Sequence, residues 1–194
     1  MATTTRKRSS KKEEILKTAA RMFREKGYTG TSMRDLAEKI GIEAASLYNH
    51  IQSKGEILEE IVFSIARDCQ EQLENMNASE TALQRIESLI RFHTKMMIDH
   101  FESYSVMVSE WIHLEEDKLG EFVSDRRRYV KKIETIVQEG IDNKEFKQVS
   151  PYVVVLNILS SVRGLEFWQK SAKTHTAEEI EENMVQHLIG GLKL

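Results

Sequence analysis

Ser46 and Asn49 stand one helical turn apart, and both side chains can hydrogen-bond base edges, Asn being suited to adenine. Ala44 and Ala45 just before them are small and let a backbone approach a groove closely, while Glu43 can accept from cytosine but is repelled by phosphate. Tyr48, Lys54, Arg34 and the Thr31 or Ser32 hydroxyl are placed to grip phosphate oxygens, with His50 at the end of the same stretch. This is the chemistry of reversible recognition of double-stranded DNA, in which phosphate contacts position and base contacts specify.

A second group, His93, Met97, Tyr104, Met107, Trp111, Tyr129, Phe167 and Trp168, places polar or aromatic side chains on otherwise apolar helix faces. A methionine-aromatic lining suits a flexible apolar ligand, although the same residue types also fill ordinary cores. The basic run Arg126, Arg127, Arg128, Lys131 and Lys132 can hold the phosphates of such a ligand or form a solvated helix face. Glu110 and His113 form a single Glu-x-x-His pair, where a di-iron carboxylate bundle needs two. The chain contains no Gly-rich phosphate loop, nucleophile elbow or His-Glu-x-x-His. We therefore expect no catalysis, metal or cofactor.

The elements that position these groups are expected to be helices. One Pro and nine Gly among 194 residues are too few for many tight strand turns. That length allows one domain or two small ones at about 100–200 residues each. The longest apolar stretch, Val153 to Ile158 interrupted at Asn157, is far short of the ~20 residues of a bilayer span. No apolar signal core follows the basic start, so a cytoplasmic location is expected. The lone Cys69 cannot form an intramolecular disulfide and reads as a buried thiol. Residues 1–54 carry 12 Lys or Arg against 6 acids, a balance of +6, while the remainder carries −9. The two halves thus have opposite electrostatic tasks.

Caps and the 3.6-residue period predict about nine helices. A Ser10–Glu13 capping box opens the first, which Gly27 ends. Thr31 or Ser32 caps a short second helix that breaks at Gly41, and a third runs from about Glu43 to His50 with Leu47 facing the core. Ser53 with Glu56 opens a long fourth helix, 54–75, which joins the two halves. Further helices are expected from Ser79 to His100, Ser103 to Leu114, Lys118 to Asn143, Tyr152 to Lys170 after Ser150-Pro151, and 177–192 after Thr176. The expected domains are a disordered basic arm (1–9), a helix-turn-helix (10–53) and a helical ligand and dimerisation unit (54–194). The arm is either a solvated tail or a DNA contact.

Two short helices around a Gly-containing turn, preceded by a packing helix in the basic part of the chain, form the layout of a helix-turn-helix reader. Gly27-Tyr28, Thr31 through Ala37, Gly41-Ile42, Ser46 through His50, Ser53-Lys54 and Ile57-Leu58 together resemble the amino-terminal domain of TetR-family transcriptional regulators. The resemblance covers about residues 12–60. It implies a homodimeric repressor with a helical carboxy-terminal ligand domain, and DNA contacts from Thr31, Arg34, Tyr48 and Lys54. Glu43 and Ala44 depart from the usual Ser and Lys or Arg, so the operator preference does not carry over, while Ile51 in place of the usual Phe is a core substitution that changes little. Leu119, Phe122, Arg126 and Tyr129, then Gly140-Ile141, Glu145-Phe146 and Trp168, are similar to family members that sense acyl-CoA thioesters.

The expected function is a regulator that binds a palindromic operator as a homodimer and is released by a small, largely apolar effector such as an acyl-CoA. The helices at 152–170 and 177–192 carry broad apolar stripes, and the resemblance implies that they form a four-helix dimer interface. The alternative is a DNA-organising protein with no effector. A cavity in the second unit favours the sensor, and a filled core favours the alternative.

Overall fold

The computed structural model describes residues 10–171 and 174–194, so the basic arm at 1–9 lies outside the described residues. It is all-α. The described residues form α1 (Lys11–Lys26), α2 (Met33–Ile40), α3 (Ala44–Tyr48), α4 (Lys54–Glu74), α5 (Ala82–Asp99), α6 (Phe101–Ser109), α7 (Glu116–Asp142), α8 (Pro151–Lys170) and α9 (Ala177–Leu192), with a 3₁₀ turn at Trp111–His113. There is no strand among them, and one isolated bridge joins Phe146 to Lys193. None of the helices is long and apolar enough to cross a membrane.

Local chemistry explains most boundaries. The Ser10–Glu13 box closes reciprocally, at 3.2 and 2.9 Å, and Gly27 at φ 77° ends α1 where a side chain would be strained. Ser32, not Thr31, caps α2 in a second reciprocal box with Asp35. Ser53 caps α4, but the box is only half formed, because the Glu56 carboxylate accepts from the Gln52 N–H at 2.6 Å instead. Four expected boundaries are corrected, the first being α7, which starts at Glu116 and not Lys118. The Ser79 hydroxyl donates to Asn77 at 2.7 Å in a turn, and a Thr81–Gln84 box starts α5. α6 begins at Phe101 and tightens into the 3₁₀ turn at Trp111. α3 ends at Tyr48, two residues early.

Ile15, Ala19 and Phe23 of α1, Leu36 and Ala37 of α2, Leu47 of α3 and Ile57, Leu58, Ile61 and Val62 of α4 form one core. That core is completed by Val106 of α6, Leu114 at the end of the 3₁₀ turn and Phe122 of α7. A second core gathers Leu89 and Ile90, Ile133 and Val137, Val155, Ile158 and Val185 from α5, α7, α8 and α9, with Phe146 from the α7–α8 connection. Ile65, Cys69, Met97, Tyr104, Val162 and Leu165 form a third core.

At Gly140 the chain folds back on itself: its carbonyl accepts the N–H groups of Glu145 and Phe146 at 2.8 and 3.1 Å. A Cβ there would lie 2.3 Å from two carbons of the Phe146 ring and 3.0 Å from the Ala82 Cβ. Gly140→Ala is therefore expected to destabilise the fold by about 1–3 kcal/mol through overpacking, read as a lower urea midpoint. Gly120→Ala, whose Cβ meets nothing within 4 Å, is the control and is expected to be neutral or mildly stabilising.

Candidate functional site

The head formed by α1 to α3 presents Glu43, Ala44, Ala45, Tyr48, Asn49 and His50 to solvent, with Ser46 half-buried and Leu47 fully buried. Tyr48 is 51 % exposed, unusual for an aromatic residue with no surface partner to cover it. Ser32 and Arg34 are also exposed, and Arg34 forms no ion pair with a described residue. The structure therefore brings the predicted base-reading and phosphate-gripping side chains to one end of the molecule, with two exceptions.

Thr31 is buried at 1 % exposure, and its hydroxyl donates inward to the Gly27 and Met22 carbonyls at 3.1 and 3.4 Å. It closes the end of α1 rather than offering an oxygen to a phosphate. Lys54 is half-buried, and its ammonium donates to the Tyr28 and Thr31 carbonyls at 3.0 and 2.9 Å while lying 4.2 Å from the centre of the Tyr28 ring. The ammonium thus ties the α1–α2 turn to the start of α4. Tyr28 is also held from the other side: its N–H donates to Glu110 at 3.0 Å, and its ring stacks on His113 at 5.4 Å. The Glu-x-x-His pair weighed above as half of a metal motif joins the head to the turn at Trp111–His113.

Behind the head lies a cavity of about 260 Å³ between α4, α5, α6, α7 and α8. Of the expected ligand residues, His93, Tyr104, Met107, Trp111 and Tyr129 line it. Met97, Phe167 and Trp168 do not: Met97 packs in the third core, and Phe167 is 82 % exposed on α8. Trp168 follows it on the same helix and is not among the lining residues. Sequence reasoning missed Cys69 and Gln70 of α4, and Tyr152 and Arg163 of α8. Arg163 stands eleven positions, about three turns, after Tyr152, which is the only sequence signal that could have placed both on one face.

Met107, Trp111 and Phe122 have a double role, since they line the cavity and also pack on the head's core. Arg126, whose guanidinium stacks 5.4 Å over Trp111, and Arg163 are exposed at the rim, and neither forms an ion pair with a described residue. Of the remaining basic run, Arg128 pairs with Asp125, Lys131 with Glu134 at 3.0 Å and Lys132 with Glu74 at 3.1 Å. Deep in the chamber His93 bridges two phenols, Nδ1 to Tyr104 Oη at 2.8 Å and Nε2 to Tyr129 Oη at 2.7 Å. Burial lowers the imidazole pKa to about 4 and raises that of both phenols, so all three are neutral at physiological pH. Burial, then the neighbouring Asp68 charge, pushes the Cys69 thiol up to about 12.

With this geometry the chain can be compared with known proteins. Residues 15–61 match the family model for bacterial regulatory proteins of the tetR family, and residues 79–192 match the tetracyclin repressor-like C-terminal domain. The chain belongs to the TetR family of bacterial regulatory proteins. Among relatives, the HTH-type transcriptional repressor KstR2 of Mycobacterium tuberculosis is 23 % identical over 193 residues, covering 95 % of this chain and 94 % of KstR2. The solved structure of that ketosteroid transcriptional regulator superposes with a TM-score of 0.87 at 20 % identity, over 96 % of each chain. AibR, solved in complex with isovaleryl coenzyme A and operator DNA, superposes with a TM-score of 0.80 at 24 % identity, over 93 % of this chain and 98 % of AibR.

The neutral His93 has a consequence for stability. Its folded pKa, about 4, lies below the ordinary 6.5, so between those values the unfolded chain binds a proton that the folded chain refuses. Stability then falls as pH drops through that window, by about 3 kcal/mol if His93 acts alone. Urea midpoints from pH 7 to pH 4 are expected to fall less for His93→Gln than for the parent; parallel curves would contradict a buried neutral imidazole.

Proposed function

We propose that the chain is a ligand-responsive transcriptional repressor. It binds a palindromic operator as a homodimer and is released by a small, largely apolar effector of the acyl-CoA kind. The observation that carries this reading is the shared wall: Met107, Trp111 and Phe122 touch both the cavity and the core of the head. A ligand that moves the wall must move the head. The presence of a chamber, rather than a filled core, also favours a sensor over a DNA-organising protein.

Its size bears on the ligand. At about 260 Å³ it is smaller than the roughly 300–1,000 Å³ that houses drug-sized molecules, so it takes an acyl-sized group. The anionic remainder of a CoA ester then lies outside, against Arg126 and Arg163; the structural neighbour AibR was solved with one such ester, isovaleryl coenzyme A.

The amino-terminal unit, 10–53, reads DNA through Ser46 and Asn49 at base edges and Ser32, Arg34 and Tyr48 at phosphates. The unit from 54 to 194 binds ligand and dimerises. Tyr152, Val153, Leu156 and Phe167 are exposed along α8, an apolar face that a second copy would cover. In such a dimer the heads meet half-sites ~34–36 Å apart or a multiple of that distance. Ala66, Cys69 and Gln70 of α4 also line the cavity, so ligand displaces α4 together with the turn at Trp111–His113 and changes the spacing of the heads.

The test uses fragments from beside the chain's own coding locus. Salt-sensitive binding, lost on adding a short-chain acyl-CoA, is the expected result; binding that persists unchanged under every ester would remove the effector. Arg34→Ala should weaken binding to all sequences and lower the salt slope by about 1, whereas Asn49→Ala should relax preference at one base position. Identical effects of both on every sequence would contradict the assignment. Because Lys54 braces the α1–α2 turn, Lys54→Ala should also lower the melting temperature of the free protein, which Arg34→Ala should not.

A further inference from the structure

The group formed by His93, Tyr104 and Tyr129 holds one more hydrogen than it can use. A neutral imidazole has one N–H and one bare nitrogen, and each phenol has one O–H, so three hydrogens serve two contacts. One tyrosine donates to the bare nitrogen and the other accepts the ring N–H. The second tyrosine's own O–H then has no acceptor within the group, and neither phenol has another hydrogen-bond partner among the described residues. Ionisation does not remove the surplus, because burial holds both phenols protonated.

All three residues line the cavity, and Tyr104 and His93 are only 3 % and 2 % exposed, so the surplus donor lies at the deep end. Arg126 and Arg163 at the rim are donors only. Asp125, an acceptor on the lining, is already paired with Arg128.

We infer that this group is a donor subsite that selects an effector whose buried end carries a neutral oxygen acceptor, a ketone in chemical class, opposite an anionic end at Arg126 and Arg163. The inference rests on the effector reading above and adds what lies at the far end of the ligand. A plain saturated chain leaves the surplus O–H buried without a partner. A carboxylate satisfies it but brings a charge into an enclosure with no counter-charge beside it. A ketone accepts the hydrogen and adds no charge. Which phenol donates is set by the His93 tautomer, and the bound ligand selects it.

The test is calorimetric titration of the full chain with hexanoyl-CoA and 5-oxohexanoyl-CoA. The parent protein is expected to bind the oxo ester at least about fivefold more tightly. In the triple variant His93→Leu/Tyr104→Phe/Tyr129→Phe, which removes every donor of the group including the ring N–H, the two esters should bind within about twofold of each other. Each single variant keeps one phenol that can accept the ring N–H and offer its own O–H, so at least one should keep the preference; if the triple variant does not fold, the C=O stretching band of the bound oxo ester in the parent is the readout, expected below its position in an aprotic solvent, and an unshifted band overturns the inference.

A smaller preference in the parent, or one that survives in the triple variant, overturns the inference while leaving the effector reading in place. If neither ester binds, the CoA-ester reading fails, and cyclohexanone against methylenecyclohexane, followed by NMR, decides the subsite alone. Preference for the ketone that disappears in the triple variant then supports the inference, and no such preference, or one that survives there, overturns it.

Discussion

Three short helices cannot bury their own apolar faces, and this shortage organises the protein. α1, α2 and α3 have 16, 8 and 5 residues, a unit below the size at which a chain usually sustains a core of its own. The head therefore closes its core with α4 and with Val106, Leu114 and Phe122 from beyond it. Because close-packed interiors transmit displacement rather than absorb it, the residues that complete the head also carry the state of the chamber behind them. Tyr28 reinforces the joint, held by Lys54 from one side and by Glu110 and His113 from the other.

The same economy shapes the chamber. Its walls are core side chains, with a polar group at the deep end and, at the open end, two guanidinium groups that form no ion pair with a described residue. A buried imidazole bridged by two phenols keeps its orientation at every physiological pH, since burial keeps all three groups neutral. The likeness to KstR2 at a TM-score of 0.87 with 20 % identity has a simple basis: helix packing depends on apolar spacing and volume, which many sequences satisfy. The polar atoms at the two ends of the chamber depend on particular residues, so ligand chemistry is free to differ where the fold does not.

Much of the architecture was legible because helix signals are local. The boxes at Ser10–Glu13 and Thr176–Glu179 close as their spacing requires, Ser32 takes the cap that the sequence left open between it and Thr31, and Gly27 and Gly41 adopt the positive φ that ends helices. Ser79 misled because Asn77, two residues earlier, captures its hydroxyl, while Thr81 with Gln84 offers the complete box. The outward residues of α3 were legible from the buried Leu47 between them. Thr31 was not: as the residue before a cap its hydroxyl reads as a surface group, and only the turn of the chain at Gly27 brings the α1 carbonyls within its reach.

The chamber was legible in type but not in membership. His93, Tyr104 and Tyr129 stand out as polar atoms on apolar faces, yet their mutual bonding spans 11 and 36 residues and leaves no trace in any one helix. Met97, Phe167 and Trp168 have the same residue character as the lining and sit elsewhere, because a helical period specifies a face and not the neighbour that covers it. The amino-acid order alone determined the helices, their caps, the basic front and the outward residues of α3, since these depend on interactions within a few residues. Only tertiary packing decided that Lys54 and Thr31 brace the α1–α2 turn, that Trp111 packs on the head's core while lining the cavity, and that three distant side chains meet around one surplus hydrogen, because contacts between helices are set by shape and volume across the whole molecule.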